Sequence, residues 1–476
     1  VSAFRSGARA AVSAALLIFG VGSAALAQDA APASGHPPAY NQSGTLPSGV
    51  VYEVRPDRAQ PAAAIALWYR APAAGFDGSP LPGLSRLAAA TVAGSTPVTG
   101  TPLGRLVERY GGRIAIAAFP SSVSITALVP ADRVAQTVRA MTGDYFAPVI
   151  TADGLRLAQR DAQTELLYRS YEPEAIEDAL GAALFATGPL HDGTLGNPDA
   201  LGAATLDRVR AYAERAFRPA NAILVMTGNV DPAVLRDVAS RPDGAGAAPE
   251  QAAPQTPRSA ASGPLAREGN IAGTGLGWIG PPIADETAAT ALDFASDALF
   301  APRTGIVAKA LGARKAAVSG KFLTYRSPGI FLVTITGADA AAARPIVDEA
   351  IAGAAKPMPQ PAFEAARARF VYHLLSQMAT PSDVSDVYGW YAVEGAPAYA
   401  PAEGGTDGRY FTLAAKLTPA AVAAAVSKYL TAPPAVVTLA RPTPAASPSG
   451  RPAPAPAARP SGKPSPAPKP GKTPGP

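Results

Sequence analysis

The chain holds three histidines, His36, His191 and His373, and no cysteine. No two of the histidines are near neighbours, so a short motif with paired imidazole ligands cannot form. Without thiols there are no disulfides, thiolate zinc sites, iron–sulfur clusters or cysteine nucleophiles. His191 stands beside Asp192, but adjacent residues seldom orient one another as a catalytic pair, and a solvated loop histidine is expected. His373 follows Tyr372 in a helical stretch and reads as a core-edge residue. Gly275-Leu276-Gly277-Trp278-Ile279-Gly280 spells G-x-G-x-x-G, which cradles phosphates when a helix N-terminus follows. Pro281-Pro282 follows instead, so a dinucleotide loop is not expected. The serine-nucleophile patterns G-x-S-x-G and S-x-x-K are missing. Trp68-Tyr69 and Trp390-Tyr391 are read as core or interface aromatics.

Residues that do chemistry must be held by elements, and the chain has ample material for them. It has 476 residues, 48% of them apolar, so it is not disordered as a whole. The net charge of +5 is carried by Arg451, Arg459, Lys463, Lys469 and Lys472 near the C-terminus, which leaves the body neutral. A neutral body argues against a nucleic-acid-binding face. Arg5 and Arg9, an apolar run to Leu26 and the small-x-small site Ala25-Leu26-Ala27 predict a signal peptide over 1–27. Cleavage near Ala27 would deliver the protein to a periplasm or outside the cell. No other run of about eighteen apolar residues follows, so no stable transmembrane segment is expected. Residues 28–40 read as a disordered N-terminal segment, 241–264 as a Pro/Ala-rich linker, and 443–476 as a disordered Pro/Lys-rich tail.

Two patterned regions remain, 41–240 and 265–442. In the first, 46–56 and 62–72 read as strands and 81–94 as an Ala/Leu-rich helix. Thr101 is expected to cap a second helix, with Pro102 at its first position and Gly111-Gly112 as its stop. Strands around Pro120, an amphipathic helix over 132–146, three further helices and a buried strand at 223–231 complete the region. The second region repeats this order: a strand at 270–282, a helix at 285–300, two strands within 322–337, helices, and a closing strand from 435. Each region is expected to be an α+β sandwich with helices against a sheet.

The order and several stretches resemble the M16 (insulinase/pitrilysin, processing-peptidase) family. Leu46-Pro47-Ser48-Gly49 resembles that family's opening strand, 217–231 its closing strand, and 191–217 the segment before it. The resemblance spans nearly all of 41–440. It implies two tandem, homologous α/β sandwich domains, α+β in class, facing each other across a chamber.

Active members of the family carry His-x-x-Glu-His on the helix after the second strand. Two His ligands and a distant Glu hold zinc, and the motif Glu polarises the attacking water. By alignment the two His positions are Arg86 and Ala90, the Glu position is Ala89, and the third ligand falls near Gln159, with Glu165 the nearest carboxylate. None of the aligned side chains can donate a lone pair to zinc except the weak amide of Gln159, and a guanidinium repels a cation. The family's substrate-holding Arg and Tyr of the second half align with Gly312 and Ser319. The resemblance therefore implies a member without zinc or other cofactor and without catalysis of its own. It would pair with a catalytic M16 subunit that carries the zinc, completing a peptide-degrading chamber. The alternatives are a stand-alone protein that binds extended peptides, or an active metallopeptidase with an unrecognised metal site.

Overall fold

The computed structural model describes residues 41–76, 80–96, 100–239, 256–258, 264–326, 328–395 and 405–442. The expected signal peptide, the 28–40 segment and the 443–476 tail lie outside the described residues, as does most of 241–264.

The first half opens with β1 (Gln42–Thr45), β2 (Val51–Pro56) and β3 (Ala62–Arg70). Next come helices α1 (Leu84–Gly94) and α2 (Leu103–Arg109), strands β4 (Arg113–Ala118) and β5 (Ser122–Pro130), and helices α3 (Val134–Phe146), α4 (Ala152–Arg169) and α5 (Glu174–Leu184). Short β6 (Phe185–Thr187), α6 (Pro189–Asp192) and α7 (Pro198–Ala203) lead to α8 (Leu206–Ala216), β7 (Ala222–Gly228) and α9 (Leu235–Ala239). The expected cap at Thr101 is not made. Pro102 holds an extended ψ of 141° and is itself the N-cap, so α2 starts at Leu103. Thr151 does cap α4, accepting a hydrogen bond from the Gly154 N–H.

After β8 (Thr256–Pro257) the second half runs β9 (Leu265–Glu268), β10 (Gly273–Gly280), α10 (Glu286–Phe300), α11 (Ile306–Leu311), β11 (Ala317–Leu323) and β12 (Gly329–Thr336). It closes with α12 (Ala340–Ala354), α13 (Gln360–Ser376), α14 (Pro381–Glu394), α15 (Gly405–Lys416), α16 (Pro419–Leu430) and β13 (Ala435–Ala440).

The two sheets have one plan. The first is ordered β1-β2-β7-β3-β5-β4 and the second β11-β12-β10-β13-β9. Read from the β4 and β11 edges, five strands correspond one to one. Each sheet has a single parallel pair at the same place, β2 with β7 and β9 with β13, and antiparallel neighbours elsewhere. This is the internal duplication expected from the order of elements.

Strand alternation divides β3 between two cores. Ile65, Leu67 and Tyr69 belong to a core shared with α1, α3 and α8, whereas Ala66 and Trp68 belong to the core of the second half. Helices α5 and α14, which hold the same place in the two repeats, explain this. Helix α5 lies on β10 and β13 of the second sheet, and α14 lies on β3 and β7 of the first. Ile176, Leu180 and Leu184 of α5 cover the β10 glycines so closely that a Cβ on Gly275 would stand 2.5 Å from Ile176. The letters G-x-G-x-x-G thus serve close packing of a helix on a strand. At the other crossing Trp68 meets Trp390 edge-on with ring centroids 6.4 Å apart.

Polar groups fix the exchanged helices. Lys321 of β11 pairs with Glu177 of α5 at 2.7 Å. At the end of α14, Arg70 donates to the Ala392 carbonyl and Arg326 to that of Val393, both at 3.0 Å. Buried Glu394 accepts from Ser121 Oγ and the Arg326 N–H. Burial still pushes the Glu394 carboxyl up from its ordinary value. Among the described residues the two halves touch directly through α5 and α14. The described residues up to Arg441 form one compact unit.

Candidate functional site

Helix α1 packs on α4 and α8 and runs antiparallel to α4. Its apolar face is set by Leu84, Leu87, Ala88 and Val92, all buried. Beneath it Tyr145 donates to the Ala89 carbonyl at 2.8 Å and Tyr212 to that of Pro72 at 3.0 Å. Burial pushes both phenols far above their usual range. They act as fixed hydrogen-bond donors and not as titrating groups. At its far end Ser95 receives the Thr151 N–H, which ties the end of α1 to the start of α4.

Arg86, Ala89 and Ala90 lie at i, i+3 and i+4 of α1 and share one face. Ala89 is buried and Ala90 half-buried. Arg86 forms an ion pair with Glu165 of α4, the two side chains being 14% and 24% exposed. The Arg86 Nε and Nη1 are buried without a hydrogen-bond partner. Only one edge of the guanidinium is therefore used.

Gln159, aligned with the third metal ligand, points elsewhere. Its Nε2 donates to the carbonyls of Leu201 (2.8 Å) and Ala204 (3.3 Å), closing the C-terminus of α7. The carboxylate brought to Arg86 is Glu165, six residues further along α4.

This donor set does not suit a zinc ion. It offers one carboxylate, already neutralised by a guanidinium, beside two methyl groups. Among the described residues no group of three or more His, Asp or Glu side chains is placed to hold a metal.

The other expected residues are scattered. Gly312 is the C-cap of α11 with φ 58°, and Ser319 is exposed on the edge strand β11. His191 is not simply solvated: it sits on α6, half-buried, with Nδ1 2.7 Å from Asp192 Oδ1. Gly188 and Pro189 start a short helical turn that brings these neighbours together. His373 is bound likewise to Asp297 at 2.6 Å. Burial raises the Asp297 carboxyl despite the histidine beside it. No nucleophile joins either pair among the described residues.

Sequence reasoning missed the surface next to Arg86 and Glu165. Leu167, Tyr168 and Tyr171 at the end of α4 are 57%, 68% and 57% exposed. Tyr168 lies one turn beyond Glu165 on the same helix face. The signal was present, since these are large apolar residues off the buried stripe of a mostly polar helix. No single helix among the described residues is long and apolar enough to cross a membrane.

Comparison with known proteins agrees with this architecture. Residues 203–370 match the family model described as Peptidase M16 inactive domain. Among solved structures, a protease from Helicobacter pylori superposes with a TM-score of 0.73 at 15% identity, over 85% of this chain and 99% of that one. A peptidase M16 inactive domain from Pseudomonas fluorescens gives 0.70 at 17% identity, over 85% and 99%. A chain of complex III2 from Candida albicans gives 0.68 at 12% identity, over 83% and 94%. No curated protein matches the sequence. Along most of its length the chain therefore has the fold of M16-like peptidases, and within it residues 203–370 match the model of the M16 inactive domain.

Proposed function

We propose that this chain is a non-catalytic M16-like subunit that pairs with a zinc-bearing M16 chain and completes a peptide-degrading chamber with it. The observation that carries this reading is the Arg86–Glu165 ion pair on the α1 face, beside Ala89 and Ala90. A guanidinium held by a carboxylate can neither polarise a water nor accept its proton at neutral pH, so hydrolysis must come from elsewhere. The inactive-domain match supports the reading, as does similarity to a chain of a multi-subunit complex. Since α5 and α14 join the halves directly, the chamber in this reading lies between this chain and its partner.

The test is purification of the protein from its source. A stoichiometric companion with intact His-x-x-Glu-His, and peptide hydrolysis by the pair but not by this chain, is the expected result. A monomer without such a companion would sink the proposal. Export belongs to the same reading, and a mature N-terminus at Gln28 is its expected mark.

The exposed Leu167, Tyr168 and Tyr171 favour a second reading, in which the isolated chain holds an extended peptide without cleaving it. Saturable binding of an unfolded polypeptide by the partner-free protein would select that reading.

A further inference from the structure

The second half contains a cavity of about 610 Å³ between α10, α11, α12 and α16, far in sequence from the Arg86 face. Its volume falls within the range of about 300–1,000 Å³ usual for small-molecule sites. It is open because facing helices carry alanine where a filled core would carry larger side chains: Ala295 and Ala298 on α10, Ala350 and Ala354 on α12, Ala423 on α16. Phe294 and Phe363 line it with rings. Ile306, a lining residue, is 41% exposed, so apolar surface is left facing water at this place.

Polar chemistry is confined to three side chains, Arg314, Lys356 and Glu349. Arg314 donates to the carbonyls of Ala310 and Leu311, which holds its guanidinium at the end of α11. Lys356 is exposed and has no ion pair among the described residues. The charged set has a net positive sign. The remaining lining is methyl, ring and methylene surface, with Pro357, Pro359 and Pro419, which have no N–H to donate. An extended peptide would bring amide groups into this lining and leave them unpaired, which is unfavourable. An alkyl chain makes no such demand.

We propose that this cavity binds a single-chain anionic amphiphile, the alkyl chain among the alanines and the carboxylate near Lys356 and Arg314. The test is calorimetric titration of the full chain with dodecanoate below its micelle concentration, with dodecyltrimethylammonium as the head-group control. The expected result is saturable one-to-one binding of dodecanoate, about tenfold tighter than the cationic analogue. Ala350→Phe, which fills the cavity, should abolish binding with an unchanged circular dichroism spectrum. Should that variant fail to fold, the surface variant with Lys356→Glu and Arg314→Glu decides, with an expected loss of about tenfold. Absence of saturable binding, equal affinity for both head groups, or undiminished binding in the folded variant would overturn the proposal.

Discussion

Trp68 of β3 and Gly389 of α14 approach so closely that a methyl group on Gly389 would overlap the indole nitrogen. The equivalent crossing in the other repeat reverses the roles: the glycines are on the strand, at Gly273, Gly275 and Gly277, and the bulky side chains on helix α5. Either way, small residues let a helix of one half sit directly on the sheet of the other. Gly389→Ala tests this through its sign. In an exposed helix the change would stabilise by about 0.5–1 kcal/mol. Here overpacking should destabilise by about 1–3 kcal/mol. Denaturant unfolding followed by tryptophan fluorescence measures it, and a gain in stability would contradict the packing. Both halves should move together in one transition, because each covers the other's sheet.

Glu165 neutralises a guanidinium that is mostly withdrawn from water. Glu165→Ala should therefore destabilise by about 2–4 kcal/mol, since the remaining cation is left unpaired. Arg86→Met combined with Glu165→Leu should recover most of that loss, because two apolar side chains fill the same space without a desolvation penalty. A double-mutant cycle from equilibrium unfolding reads the coupling. Additive effects would show that the two residues do not meet.

The sequence revealed the strands and helices whose pattern repeats at one period. It also revealed the duplication, because both regions run strand, helix, strands, helices and closing strand in the same order. Helix α14 was not legible. Its residues 387–391 are all buried, so it has no apolar stripe to betray it. Short α11 and strand β9 carry too few residues for a period to show. At the candidate site, the residue types at Arg86, Ala89 and Ala90 could be read directly. The choice between Gln159 and Glu165 could not, because it depends on how α4 turns against α1. The exchange of α5 and α14 was hidden for a similar reason. The β10 glycines are visible in the sequence, but the helix that covers them comes from the other half.

Asp386 on α14 offers a pH test of that helix. Burial, and then the charge of Asp383, pushes its carboxyl up from the ordinary value to about 7. A folded-state value above the unfolded one means that its contribution to stability is fully present below about pH 4. That contribution is lost as pH rises to about 7. Asp386→Asn should accordingly match the wild type near pH 4 and exceed it at pH 8 by about 1–3 kcal/mol, the residual solvent contact of the side chain limiting the gain. Thermal denaturation of both proteins across this range measures the difference. A constant offset at all pH values would show that Asp386 does not titrate between the two states.

The last prediction asks which α4 position faces the α1 motif. Arg86→His, Ala89→Glu and Ala90→His together put two imidazoles at i and i+4 with a carboxylate between them. Because Arg86 already touches Glu165, a histidine at 86 should share a metal ion with that carboxylate. The triple variant should then retain about one zinc per chain through gel filtration, which atomic absorption would detect. Adding Glu165→Gln should weaken retention by about ten- to a hundredfold, since a ligand is lost. Adding Gln159→Glu to that quadruple variant should not restore it, because residue 159 faces the end of α7. Rescue by Gln159→Glu would place the third ligand there and show that Arg86 and Glu165 meet away from the metal position that the resemblance implies.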